Sequence, residues 1–341
     1  MDVAREVGAR RFDPAADTAA VRALYDAYAA GLPEDDPDGP AMSPAVFGGW
    51  LVAGWTSDPQ ETWLLPAGTR GAAGGYVLEL PDRENPDKAR LTVLVTPGRR
   101  RGGLGLALLR HAAARARIQD RTVLTGDARE GSPGEAFARS AGAAPGITEV
   151  RRVLDVPLPG SGRLDELRCA AQAEAAGYSL LAWEGPAPEE HLDQVAALCG
   201  AIGDAPRDAG EQAERWDAAR VREADHRIAV QGLRMYTVAA RHDSSGALAG
   251  LTQVGADPQT PGWGFQELTA VARPHRGHRL GLRVKLAMLD LLASREPEIT
   301  RIITGNAAAN KHMIAINEAL GFRVLDRWTS WRITVADAFL R

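Results

Sequence analysis

Arg100-Arg101-Gly102-Gly103-Leu104-Gly105 is the stretch that decides how the chain is read. A variant of it, Arg276-Gly277-His278-Arg279-Leu280-Gly281, returns in the second half. Each copy follows an apolar, strand-like run ending in Val (Val95, Val271) and opens a helix-like run (Leu106–Ala116, Leu282–Ala293). A strand, a basic glycine loop and a helix start form an anion cradle. Backbone N–H groups face the ligand, and the helix dipole adds roughly half a positive charge. Two such cradles imply a duplicated domain that handles a nucleotide-containing cofactor.

Working outward, the same order of elements surrounds both copies. Before the first come a strand over Val7–Phe12, helices over Asp17–Gly31 and Ser43–Gly54, and strands over Thr62–Leu65, Gly74–Leu80 and Arg90–Val95. After it come strand Thr122–Thr125, a helix Gly134–Ala141 stopped by Gly142, and a closing strand Val150–Val156. The second half repeats this with strand Tyr178–Trp183, helices Glu189–Gly200 and Glu211–Ala229, and a hairpin of Met235–Arg241 with Ala247–Val254. Strand Gly264–Ala272 precedes the loop. Strand Thr300–Thr304, helix Asn310–Leu320 stopped by Gly321, and strand Phe322–Trp328 follow it. The offset from Gly142 to Gly321 nearly equals that from one loop to the other, so both landmarks support one duplication. The turn-rich Pro157-Leu158-Pro159-Gly160-Ser161-Gly162 marks the boundary. An N-terminal domain over 1–156, a linker with a bridging helix (Leu164–Ala175) over 157–176 and a C-terminal domain over 177–341 are expected.

Composition narrows the function. With 341 residues, 45% apolar and 25% charged, the chain can bury two cores and reads as globular. A net charge of −4 gives nucleic acid no electrostatic footing, so no nucleic-acid partner is expected. No run approaches the roughly 20 apolar residues of a membrane span. The charged start Met1-Asp2-Val3-Ala4-Arg5-Glu6 has no signal core. Cys169 and Cys199 lack metal-ligand and disulfide-framework spacing and read as reduced, buried thiols. A cytoplasmic protein with no metal and no membrane partner is expected.

Other glycine loops are excluded by spacing. A dinucleotide fingerprint needs Gly-x-Gly-x-x-Gly early in a βαβ unit, and a nucleotide-hydrolase loop needs Gly-Lys-Ser/Thr. Neither loop has these. The segment Val95-Thr96-Pro97-Gly98-Arg99-Arg100-Arg101-Gly102-Gly103-Leu104-Gly105 resembles instead the acyl-CoA-binding motif of the GNAT N-acyltransferases, Gln/Arg-x-x-Gly-x-Gly/Ala after a strand ending in Val. The first copy matches with Arg100, Gly103 and Gly105. In the second, Arg276 and Gly281 match, and Arg279 takes the middle glycine position. Phe137–Ala143 and Asn310–Phe322 are similar to that superfamily's closing helix. The resemblance spans nearly the whole chain and identifies it as a tandem GNAT protein, of a subgroup common in antibiotic-producing bacteria. It implies an α/β fold of two tandem GNAT-type domains, each a mixed, largely antiparallel sheet with a central splayed strand pair flanked by helices.

The same resemblance implies roles for residues. The cofactor would be acetyl-CoA or another acyl-CoA. Its diphosphate would meet the backbone of Arg101, Gly102, Gly103, Leu104, Gly105 and Leu106, and of Gly277, His278, Arg279, Leu280, Gly281 and Leu282. Its pantetheine arm would pair with Val93, Leu94 and Val95, and with Thr269, Ala270 and Val271. Arg100 and Arg276 open the two motifs. Arg279 either neutralises a phosphate, narrows the cradle or is solvated. His275 and His278 read as phosphate or solvent contacts. Asn310 reads as a helix N-cap or a cofactor contact, with Asn306 beside it.

For catalysis, the resemblance implies attack of an amine on an acyl thioester, with a base accepting the amine proton and an acid protonating the thiolate. The family's usual acid is a Tyr four residues before the closing helix's terminal Gly; Ala138 and Asn317 stand there. Glu267, four residues before Val271, is the candidate base, and its first-half counterpart is Leu91. The acidic runs Glu34-Asp35-Asp36-Pro37-Asp38 and Asp204-Ala205-Pro206-Arg207-Asp208 read as a rim for a cationic amine or as solvated loops. The expected function is acyl transfer to a small-molecule amine, with acyl-CoA bound in the N-terminal domain and a second acyl-CoA possible in the C-terminal domain. The alternatives are an acyl-CoA-binding module in which one or both halves do no chemistry, and reversed chemistry in which bound CoA takes an acyl group from a donor.

Overall fold

The computed structural model describes residues 8–68, 71–157, 161–201, 208 and 210–340. Residues 1–7, 158–160 of the linker and 204–207 of the second acidic run lie outside the described residues. The strands are β1 (Arg10–Phe12), β2 (Gln60–Ala67), β3 (Gly71–Glu79), β4 (Lys88–Val95), β5 (Val123–Arg129), β6 (Ala144–Asp155), β7 (Tyr178–Glu184), β8 (Arg234–His242), β9 (Leu248–Ala256), β10 (Trp263–Val271), β11 (Arg301–Ala307) and β12 (Arg323–Thr334). The chain forms two compact units. One holds the described residues of Met1–Glu149, Arg207–Gln212 and Asp326–Arg341; the other holds those of Val150–Pro206 and Ala213–Leu325.

In the first unit the strand order is β1-β2-β3-β4-β5-β12, and in the second it is β6-β11-β10-β9-β8-β7. The pairs β4–β5 and β10–β11 are parallel, and the neighbouring pairs are antiparallel. The central strands of each sheet are covered on both faces, so β3 and β9 are buried along nearly their whole length. Along β3, Tyr76 and Leu78 face helix Leu104–Ile118, which contributes Leu108, Leu109, Ala112 and Ala116. Val77 faces the other way, against Leu24, Phe47 and Trp50 of helices Thr18–Asp35 and Pro44–Ala53. In the second unit, helix Leu280–Arg295 packs Leu282, Val284, Met288 and Leu292 against Val238 and Val254. Helices Leu192–Gly200 and Ala218–Val230 cover the opposite face through Val195, Leu198 and Val221, against Leu251 and Ala270.

Three local expectations are corrected. The first helix passes its expected end at Gly31 and runs through Pro33 to Asp35, because Arg129 donates to the Asp35 and Glu34 carbonyls of its last turn. The helix expected from Glu211 begins at Ala218, where the Asp217 carboxylate accepts from the Arg220 N–H. Helix Ser161–Glu174 packs on Leu280–Arg295 through Leu164, Leu167 and Ala171, with Arg168 bonded to Asp290. Cys169 on that helix is exposed, against the expected burial, whereas Cys199 is buried and its thiol is pushed up to about 12 by desolvation.

The closing strands cross over. β6 leaves the first half and from Val150 onward belongs to the second unit, in the place beside β11. β12 leaves the second half and from Asp326 onward belongs to the first unit, where Trp328–Thr334 pair with Arg129–Val123 of β5. Ile333, Val335 and Ala338 thereby complete the core beneath helix Leu104–Ile118. Among the described residues, no helix is long and apolar enough to cross a membrane.

Candidate functional site

The two glycine loops have the same backbone. Each passes through a 3-10 turn (Pro97–Arg99, Arg273–His275) and an extended arginine (Arg100, Arg276) before the helix starts. Each then uses two left-handed residues. In the first loop these are Arg101 (φ 65°) and Gly103 (φ 83°); in the second they are Gly277 (φ 91°) and Arg279 (φ 52°). Glycine and arginine have exchanged places, so each loop carries one non-glycine residue in a conformation that costs about 1 kcal/mol. Arg279 therefore preserves the cradle's path. Its side chain reaches the Glu174 carboxylate at 3.0 Å. Neither helix start has a side-chain cap, so the first-turn N–H groups of Leu104–Leu106 and Leu280–Leu282 make up the cradle floor.

The third motif glycine has another duty. A Cβ on Gly105 would stand 3.1 Å from Phe137, and one on Gly281 would stand 3.2 Å from Ile316. These glycines let the closing helix lie close to the loop helix. Arg100 turns away from the cradle. Its guanidinium donates to the Val95 carbonyl and forms ion pairs with Glu34 at 2.8 Å and Asp35 at 2.6 Å. Within the expected acidic rim, Glu34 and Asp35 share the single Arg100 guanidinium, which offsets one of their two charges. Asp208 accepts from the Ile147 N–H and the Ser330 hydroxyl.

Beyond the loops the parallel pairs part. β4 and β5 are in register only over Lys88–Arg90, and β10 and β11 only over Trp263–Phe265. Val93, Leu94, Val95 and Thr269, Ala270, Val271 lie on the parted ends, bonded on one side to β3 and β9. One cause was missed in the sequence. Gly74 and Gly250 stand where a Cβ would fall 2.4 Å from the Leu94 carbonyl and 2.9 Å from the Ala270 carbonyl. Their missing side chains let β4 and β10 press toward β3 and β9, away from β5 and β11. These two glycines are separated by the same offset as the two loops, so the duplication carried the signal.

Glu267 occupies a β-bulge. Gln266 pairs with Val254 and Leu268 with Gln253, leaving Glu267 as the extra residue of β10. Glu267 is solvent-exposed at the point where β10 leaves β11. Desolvation raises its pKa above the ordinary carboxylate value, and Arg227 partly offsets the rise. In the first unit β4 stays in unbroken register with β3 and carries Leu91 instead.

The remaining candidates make hydrogen bonds within the protein. The Asn310 carboxamide caps helix Lys311–Leu320 by accepting from the Met313 N–H. Asn306 accepts from Asn317, which is fully buried. His275 shares a hydrogen bond with the Tyr178 hydroxyl and lies against His242. Its pKa is lowered by burial and by His242 and His278. His278 is exposed beside the Glu174 carbonyl.

A glycine loop at an uncapped helix start, with a parallel strand pair that parts just before it, defines the GNAT class, here present twice. Among solved structures, a tandem GNAT protein from the clavulanic acid biosynthesis pathway, described without AcCoA, is 31% identical. The match covers 96% of this chain and 98% of that one with a TM-score of 0.76. The chain belongs to the tandem GNAT family. A GCN5-related N-acetyltransferase from Sphaerobacter thermophilus shares the fold at 18% identity, with 96% and 95% coverage and a TM-score of 0.64. No protein-family model matches the chain, nor does any curated protein.

Proposed function

We propose that this chain transfers an acyl group, in the first instance acetyl, from acyl-CoA to a small-molecule amine, and that transfer takes place in the second unit. The observation that carries this reading is Glu267, a carboxylate of raised pKa held on a bulge where β10 parts from β11. Acyl-CoA supplies a thioester carbonyl open to attack by an amine. The N–H groups of Gly277–Leu282 hold its diphosphate, and the backbone of Thr269, Ala270 and Val271 holds its pantetheine arm. Glu267 accepts the proton the amine loses, and the raised pKa makes it a better base than a glutamate of ordinary pKa. Asn317 is bonded to Asn306 and has no acidic proton, so the thiolate takes its proton from solvent.

The first unit supports a second reading for itself alone. It has the same loop backbone and parted strands but carries Leu91, Ala138 and an unbroken β4 where chemistry would need polar groups. We infer that it binds acyl-CoA without transferring the acyl group.

Native mass spectrometry with acetyl-CoA tests both readings. Gly102 and His278 are equivalent loop positions, neither held left-handed, and a carboxylate at either should repel the diphosphate. Gly102→Glu and His278→Glu are each expected to remove one bound CoA of two, and His278→Glu alone to abolish amine acylation. Retention of both ligands in the double variant, or turnover lost through Gly102→Glu instead, overturns this account.

A further inference from the structure

Beneath the second unit's loop helix lies a polar pair for which the reaction has no use. Lys285, one of three lysines in the chain, is 3% exposed. Its Nζ donates to Gln266 Oε1 at 3.0 Å and lies 5.4 Å from the centre of the Phe322 ring. Leu154, Val254, Met288, Ile302 and Leu320 wall the pair in, around a void of only about 10 Å³, at the lower limit for a single water. A lysine is placed in such surroundings only at a cost.

The cost has a counterpart on the other side of Gln266. Its Nε2 donates to the Gln253 carbonyl at 2.7 Å, the Leu268 carbonyl at 3.0 Å and the Thr252 hydroxyl at 3.0 Å. Gln253 and Leu268 are the pair that face each other just past the bulge, where the ladder is broken. A bulge leaves backbone groups unpaired, and buried carbonyls need a donor. The Gln266 amide supplies one, provided its NH2 end faces the bulge, alongside the Thr252 hydroxyl, which also donates to the Leu268 carbonyl at 3.2 Å. Lys285 favours that orientation, because its amine presents N–H donors to the oxygen end whether or not it carries the extra proton.

The first unit is a built-in control. At the equivalent positions, found by the offset between the two loops, it has Leu109 for Lys285 and Arg90 for Gln266, and its β4 carries no bulge. The pair and the bulge occur together in one unit and are missing together in the other. We propose that Lys285 is a positioning residue: by fixing the Gln266 amide it holds the β10 bulge that presents Glu267 at the opening of the strands. The catalytic part of this inference rests on Glu267 as the base.

The test uses the full chain. Lys285→Met keeps length and burial and removes the donor. Gln266→Glu keeps an acceptor for Lys285 and removes both N–H groups. In each variant the Glu267 and Leu268 amides should exchange hydrogen at least about tenfold faster, with β8 amides unchanged. The kcat should fall about tenfold with KM for acetyl-CoA unchanged, and Lys285→Met should change kcat by less than about twofold in a Glu267→Gln background. Unchanged exchange at Glu267 and Leu268 overturns the clamp, and so does a Lys285→Met effect that is fully additive with Glu267→Gln. If no amine is acylated, or Glu267→Gln turns over normally, the proposed function fails, while the exchange measurement still decides the clamp.

Discussion

Desolvation shifts Glu267 and Lys285 with opposite signs, since nearby protein disfavours the charged form of either, at an exposed bulge for Glu267 and in the core for Lys285. For Glu267 the neutral form persists to higher pH than in an ordinary glutamate. Acylation in wild type should therefore fall on acidification through a pH above the ordinary 4.5, and that limb should vanish in Glu267→Gln, whose kcat drops about 10²-fold or more. A limb that survives the substitution removes Glu267 as the base. For Lys285, burial lowers the pKa from 10.5 to about 7. Between these values the unfolded chain holds a proton that the folded chain lacks, so this group makes stability rise with pH across that window. Lys285→Met lacks the rise. In urea titrations the wild type should gain on the variant from pH 7 to pH 10, and a constant gap would show that Lys285 titrates normally in the fold. Glu267 could be singled out in the sequence by its distance from Val271. Lys285 could not, because nothing local distinguishes a buried lysine from a solvated one on a helix.

At the scale of elements, the loop glycines separate into two kinds. Gly103 is needed for its left-handed backbone and has open space around the missing Cβ; Gly105 is needed for the space that Phe137 fills. Gly103→Ala should cost about 1 kcal/mol through strain. Gly105→Ala should cost about 1–3 kcal/mol through overpacking against the closing helix. Thermal unfolding and CoA titration of Gly105→Ala should show a lowered Tm with binding changed less than about twofold, because the cradle is backbone and faces elsewhere. A tenfold loss of CoA with an unchanged Tm would show instead that the added methyl meets the bound diphosphate. The loop's position, its repetition and the helix it opens were all legible from glycine spacing and apolar periodicity. The partners of Arg100 were not, since Glu34 and Asp35 lie far back along the chain and meet it only in the folded unit.

At the scale of the molecule, the exchange of closing strands binds the two halves of the chain into each other's cores. A fragment of residues 1–156 would leave β5 without its β12 neighbour from Val123 to Arg129 and would lack Ile333, Val335 and Ala338. An open apolar edge of that kind associates with whatever strand it meets. Size-exclusion chromatography and circular dichroism should find the fragment aggregated or unfolded, and a peptide of residues 323–341 should restore a compact monomer. A fragment that is monomeric and cooperative on its own would contradict this account. By itself the sequence determined the duplication, the element order, the glycine cradles and the GNAT class, because these depend on residue periodicity, turn chemistry and motif spacing within short windows. Only the tertiary structure decided which strand closes which sheet, which glycines serve packing, that a lysine lies buried beneath a bulge, and that Glu267 sits on that bulge. Strand pairing and burial depend on partners far along the chain, and an apolar strand has the same pattern whichever sheet it completes.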